Sequence, residues 1–143
     1  MAFGGVDQPA VLITNSTFSD NVAEDQGGAV AAWLGEVAAT NSTFSGNSVT
    51  TLDGHGGAVY AFSKITATYS TFSGNSSLGD GSALWSALRT AHLFGTVLDT
   101  SDVQEMCKTS TGPVSSGYNY ANDTSCGLTG TGDSQNAAND PLL

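Results

Sequence analysis

Asn15-Ser16-Thr17-Phe18-Ser19-Asp20-Asn21 returns as Asn41-Ser42-Thr43-Phe44-Ser45-Gly46-Asn47, and again as Tyr69-Ser70-Thr71-Phe72-Ser73-Gly74-Asn75. Each copy leads through a turn of small residues into a second shared block: Gly27-Gly28-Ala29-Val30, Gly56-Gly57-Ala58-Val59 and Gly81-Ser82-Ala83-Leu84. Aligning Val11, Val37, Ile65 and Ala91 gives steps of 26, 28 and 26 residues. The two additional residues of the second repeat are assigned to the stretch 50–55, read as a loop. A fixed period of this length marks units that bury their apolar faces only by stacking on one another.

Within a repeat the pattern is that of short strands. Val11 and Ile13 alternate with polar or exposed positions, as do Val37 and Ala39, and Ile65 and Ala67. The density of Thr, Ser and Gly and the lack of a sustained 3.6-residue period disfavour helices. A short strand cannot satisfy its backbone alone, but stacking coils pairs each strand with its copy about 4.8 Å above. The expected fold is therefore all-β, a parallel β-helix of about four to five coils with a C-terminal cap. Phe18, Phe44 and Phe72 are expected to stack in one internal column, and Val30, Val59 and Leu84 in another. Asn21, Asn47 and Asn75 each follow the Phe by three residues. Asn accepts left-handed backbone and can bond along a stack, so an internal turn ladder is expected; the alternative is a surface turn.

The boundaries read as one domain over 1–143: a partial N-terminal coil at 1–10, repeats at 11–36, 37–64 and 65–90, a degenerate coil at 91–118, and a cap at 119–143. The 143 residues carry 3 Lys+Arg against 13 Asp+Glu, a net charge of −10. Such a surface repels phosphate backbones and anionic membranes, so neither nucleic acid binding nor membrane insertion is expected. Charged residues make up 11% of the chain, leaving solubility to Ser, Thr, Asn and Gly, while 39% hydrophobic content at regular spacing argues against disorder. Met1-Ala2-Phe3-Gly4-Gly5 lacks the basic and apolar regions of a signal peptide, so any export signal is expected outside the chain.

At these motifs the chain resembles the bacterial β-helical surface proteins, including the polymorphic outer membrane proteins, with their Phe-x-x-Asn and Gly-Gly-Ala-Ile/Leu/Val repeats. Phe18–Asn21, Phe44–Asn47 and Phe72–Asn75 match the first motif. Gly27–Val30 and Gly56–Val59 match the second, from which Gly81-Ser82-Ala83-Leu84 departs at its second glycine. Gly117-Tyr118-Asn119-Tyr120, Thr124-Ser125-Cys126-Gly127-Leu128 and Asp140-Pro141-Leu142-Leu143 resemble the end of the β-helix regions in large secreted bacterial proteins. The resemblance implies a right-handed coil and an extracellular or cell-surface location in a bacterium.

Cys107 and Cys126 are the only cysteines, both in the non-repetitive tail. In an exported protein they are expected to form a disulfide closing a loop after the last coil; the alternative is two free thiols. His55, beside Asp53, and His92 are the only histidines, and no Gly-x-Ser-x-Gly elbow accompanies them. Glu24, Asp25, Asp53 and Asp80 fall in the same turn of successive coils. They are candidates for a Ca²⁺ site or a carboxylate pair, against the plainer reading of a solvated acidic edge. Thr14, Thr40 and Thr68, with Thr17, Thr43 and Thr71, form candidate outward columns of the kind that order water in ice-binding solenoids, although Thr is also simply a good strand residue. Trp33, Tyr60 and Trp85 lie in or just after the second-block strands, with Tyr60 and Trp85 at equivalent outward positions; they are candidates for an exposed aromatic column that stacks on sugars, and the alternative is packing under a neighbouring loop. Asn15, Asn41, Asn75 and Asn122 begin Asn-x-Ser/Thr sequons and are read as turn residues.

The leading expectation is a non-enzymatic secreted or surface scaffold or adhesion module that needs no cofactor. Glycans or surface proteins of a host or neighbouring cell are its expected partners. A carbohydrate-binding or polysaccharide-degrading β-helix stands second, and ice binding third.

Overall fold

The computed structural model describes residues 9–100 and 104–135; the proposed N-terminal partial coil lies largely outside them, as does the Asp140–Leu143 motif. Each full coil contributes four short strands. The first coil holds β1 (Pro9–Thr14), β2 (Thr17–Ser19), β3 (Val22–Ala23) and β4 (Val30–Ala32). The second holds β5 (Glu36–Thr40), β6 (Thr43–Ser45), β7 (Ser48–Val49) and β8 (Val59–Ala61). The third holds β9 (Ile65–Thr68), β10 (Thr71–Ser73), β11 (Ser76–Ser77) and β12 (Leu84–Ser86). The fourth keeps β13 (Ala91–Phe94), β14 (Val97–Asp99) and β15 (Cys107–Thr109), and β16 (Val114–Ser115), β17 (Tyr120–Ala121) and β18 (Ser134–Gln135) follow.

Equivalent strands stack into parallel sheets: β1-β5-β9-β13-β16, β2-β6-β10-β14-β17-β18, β3-β7-β11 and β4-β8-β12-β15. The chain is a parallel β-solenoid. Its interior is a set of side-chain columns running along the coil axis. Phe18, Phe44 and Phe72 are in register, and their rings stack at 5.1 and 4.7 Å with interplanar angles of 4° and 2°. Leu98 and then Ala121 extend that column into the irregular coils. Val30, Val59 and Leu84 form the second column, and Cys107 takes its fourth place.

The polar groups at the corners follow the same logic, because a buried turn must find partners for its backbone and amides. Asn47 and Asn75 are fully buried. The Asn21 side-chain amide donates to Asn47 Oδ1 at 2.9 Å, and that of Asn47 to Asn75 Oδ1 at 2.9 Å. Asn47 and Asn75 also donate to the carbonyls of Phe18 and Phe44, tying the turn to the aromatic column. Ser16, Ser42 and Ser70 make a second ladder: the amides of Ser16 and Ser42 donate to the hydroxyl one coil on, at 3.1 and 3.2 Å. Nothing singled out these serines in the sequence, although each stands just before Thr-Phe in all three copies.

Register also relocates the extra residues of the second repeat. Ala23 to Val30 and Ser77 to Leu84 each span seven residues, but Val49 to Val59 spans ten. The loop before Gly56 is therefore longer by three residues, not two. The corner after β8 is shorter by one, since Val59 to Ile65 is six residues where Val30 to Val37 is seven. The fourth coil is also shorter than its sequence assignment. Val114–Ser115 already pairs with β13, so a fifth turn begins inside the 91–118 stretch and continues as β17 into what reads as the cap.

The Gly-Gly block has a steric cause. Gly27, Gly56 and Gly81 have φ of 60°, 70° and 68°, a region that disfavours a side chain. A Cβ on Gly57 would lie 2.2 Å from the Ser82 carbonyl oxygen, so this position lets successive coils approach. In the third coil the second glycine is replaced by Ser82, which is fully buried with no hydrogen-bond partner for its hydroxyl.

Candidate functional site

The cysteines close the C-terminal end of the core. Cys107 and Cys126 form a disulfide with Cα atoms 4.9 Å apart, and both are buried. The Ser125 hydroxyl accepts from the Met106 and Cys107 amides and donates to Asp123, so the loop around Cys126 is held by polar contacts as well. Further along, Asp133 knits the last turn. It accepts from the Ser115 hydroxyl, from the Asn119 amide at 2.8 Å and side chain at 3.1 Å, and from the Gly130 amide. Burial opposes its ionisation, but the hydrogen bonds from Ser115, Asn119 and Gly130 outweigh it and hold the pKa below the ordinary carboxylate range.

Asp53 and Asp80 border one groove, but Glu24 and Asp25 do not join them there. Bridges align Gln26, His55 and Asp80 in one column, which leaves Asp53 in the three-residue excess and Glu24 and Asp25 further back. Glu24, Asp25 and Asp53 are exposed. Among the described residues no three His, Cys, Asp or Glu side chains converge in a way that would hold a metal ion. His55 and Asp80 do border an open groove with Leu52, Asp53, Leu78 and Gln104. The His55 ring stacks on Trp85 at 4.4 Å, and its Nδ1 is buried without a partner.

The three aromatic rings pack on one another from coil to coil. Trp33 lies against Tyr60 at 5.3 Å and Tyr60 stacks on Trp85 at 5.1 Å. Rings one coil apart cover one another, so Tyr60 is only 4% exposed, and burial pushes its phenol pKa up. Of the three, Trp33 keeps the most open surface, at 56% exposure. Lys108 follows Trp85 in register and is engaged by Glu105 at 2.6 Å; that hydrogen bond and the Glu105 charge raise its pKa.

The threonines form two short files on different sheets. Thr14, Thr40 and Thr68 align on the first sheet and Thr17, Thr43 and Thr71 on the second. Each file is three deep, ending at Phe94 and Val97 respectively. Beside the first file run Leu12, Ala38, Thr66 and His92, so that face holds one threonine file rather than an array.

What repeats from coil to coil is thus structural: Phe, Asn, Gly-Gly and Ser. The Chlamydia polymorphic membrane protein repeat matches residues 15–32, 41–61 and 69–87, each running from the corner before the Phe to the end of the Gly-Gly-Ala-Val/Leu strand. Over these residues the chain is similar to the polymorphic membrane protein repeat. Each matched repeat covers the second, third and fourth strands of its coil, while the first strand lies mostly between matches. The match points to a bacterial outer-membrane or surface protein built on a β-helix scaffold. Neither the curated proteins nor the solved structures contain a significant match to the chain. No helix among the described residues is long and apolar enough to cross a membrane.

Proposed function

We propose that this segment is a non-enzymatic display and adhesion module, a rigid rod that presents its outer faces to glycans or proteins on a neighbouring cell. The observation that carries the reading is the register. Three repeats similar to the polymorphic membrane protein repeat stack without a slip in the Phe and Asn columns, so the outward positions are held at fixed intervals. Some outward files differ from coil to coil, as Leu12, Ala38, Thr66 and His92 do, so a face can change along the stack while the Phe and Asn columns stay the same. A net charge of −10 and a surface rich in Ser and Thr suit a solvated extracellular face and oppose nucleic acid as a partner. The reading requires no metal or cofactor.

The test has two arms. In the source cell, an epitope inserted in the 50–55 loop of the full-length protein should be labelled by antibody on intact cells and be cleaved by added protease. Beads coated with the purified chain should then attach to cultured cells more than beads coated with a Phe44→Ala variant. Labelling only after permeabilisation, or equal attachment of both bead types, would count against display and adhesion respectively.

A further inference from the structure

The corner between the first and second strands keeps one backbone conformation while its side chain changes. Asn15, Asn41, Tyr69 and Gly95 occupy it with φ of 49°, 51°, 49° and 58°. The amide of each donates to a carbonyl one coil on. Asn and Gly enter this left-handed region readily, whereas an aromatic residue seldom does. Tyr69 is nevertheless 60% exposed, so its ring does not serve the core. Tyr118, in the fifth turn, repeats the arrangement with φ of 57° and 65% exposure. Beyond each tyrosine the chain carries a glycine where the ring lies. A Cβ on Gly95 would come within 2.7 Å of the Tyr69 ring, and one on Gly132 within 2.7 Å of the Tyr118 ring. Phe94 stands between the two, edge-on to Tyr69 at 5.2 Å and to Tyr118 at 6.1 Å. The row spans two coil rises, about 10 Å.

An open groove of about 290 Å³ runs beside the row, lined by Lys64, Thr66, Thr68, His92, Phe94 and Ser116. Thr66 and His92 are register partners on the outer face of the first sheet, as are Thr68 and Phe94. Lys64 is paired with the buried Glu36 carboxylate at 3.2 Å, which neutralises it. We propose that this face is a binding site for a neutral saccharide chain. The three rings offer apolar surface for the C–H faces of sugar rings. The hydroxyls of Thr66, Thr68 and Ser116 and the half-exposed imidazole of His92 exchange hydrogen bonds with sugar hydroxyls. The ligand is neutral because the chain carries a net −10 and the one ammonium in the groove is already paired. The core does not account for aromatic residues at these strained corners, which points to a role on the outer surface. This site is on a different sheet from Trp33, Tyr60 and Trp85, and it does not depend on where the solenoid is displayed.

Calorimetric and NMR titration with cellopentaose, mannopentaose and xylopentaose, with a hyaluronan oligosaccharide as the acidic control, tests the proposal. At least one neutral oligosaccharide should bind with a Kd below about 10 mM. Its shift changes should centre on Thr66, His92 and Phe94. Tyr69→Asn and Tyr118→Asn should each weaken binding by about fivefold or more. Asn15 and Asn41 already hold this corner, so both variants should melt close to the parent; should either fail to fold, the parent's shift map decides. Absence of binding by all three neutral probes would overturn the proposal. So would binding undiminished in the Tyr69→Asn/Tyr118→Asn double variant, a preference for hyaluronan, or shift changes centred elsewhere.

Discussion

Replacing Phe44 with alanine removes a fully buried ring from the middle of a column, with a parallel ring 5.1 Å away on one side and 4.7 Å on the other. Truncating a core Phe costs about 3–5 kcal/mol through lost burial and the cavity left behind. Here the hole cannot easily close, because Phe18 and Phe72 sit on strands whose backbones are pinned in register to β6 itself. The two stacking contacts add to the loss at about 0.5–1.5 kcal/mol each. The upper half of the range, about 4–5 kcal/mol, is therefore expected for Phe44→Ala. For a domain of ordinary stability that is a large fraction of the total. Phe18→Ala is the matched comparison: its ring is half-buried and stacks on one side among the described residues, so about 1–2 kcal/mol is expected. Thr43→Ala, pointing outward from the same strand as Phe44, should stay within about 0.5 kcal/mol. Urea unfolding followed by far-ultraviolet circular dichroism reads each difference from the midpoint shift at constant m. A Phe44→Ala loss under about 1 kcal/mol, or one no larger than that of Phe18→Ala, would refute the column as the main source of cohesion.

Asn47→Ala strips a buried amide that bonds Asn21, Asn75 and the Phe18 carbonyl, and should cost about 2–4 kcal/mol by the same assay, whereas Asn15→Ala at the exposed corner should cost under about 1 kcal/mol. Mass spectrometry of alkylated, unreduced protein should count no free thiols; reduction of Cys107–Cys126, which closes a separation of 19 residues, should lower stability by about 3 kcal/mol as read by melting with and without reductant. Asp133 has a lowered folded-state pKa, so its contribution is present above the unfolded value near 3.8 and is lost as pH falls through the folded value. Acid titration of stability should accordingly fall less steeply below about pH 4 in Asp133→Asn than in the parent, and parallel curves would contradict the assignment.

The solenoid was legible because its causes are periodic. Phe18, Phe44 and Phe72, the Asn ladder and the Gly-Gly block recur at nearly fixed spacing, and spacing is what a single sequence displays. The repeat period locates the loop before Gly56 but shows only two of its three extra residues, since a compensating deletion after β8 hides in the same total; only strand register separates the two. The Ser16, Ser42 and Ser70 ladder was repeated in plain sight, but a serine beside strand residues reads equally as solvent-facing. The equivalent positions of Tyr60 and Trp85 show one outward column, but the cover that Trp33 adds does not follow from spacing, because Ala31 is the register partner of Tyr60 and Trp33 lies two residues beyond it. The Tyr69, Phe94 and Tyr118 row is hidden for a different reason. Tyr69 stands where the first two repeats have Asn, a substitution that spacing alone does not distinguish from a neutral change, whereas its positive φ and exposure show a large ring held outward at a corner.

The central claim is that three repeats stack coil on coil with no slip, and contacts between the phenylalanine rings report it directly. Nuclear Overhauser spectra of protein labelled only at Phe rings, assigned through Phe18→Leu and Phe72→Leu variants, would show which rings touch. The account predicts that Phe44 shows ring-to-ring contacts with both Phe18 and Phe72, and that Phe18 and Phe72 show none with each other. Contacts from Phe44 to neither ring, or Phe18 in direct contact with Phe72, would contradict the stacked solenoid.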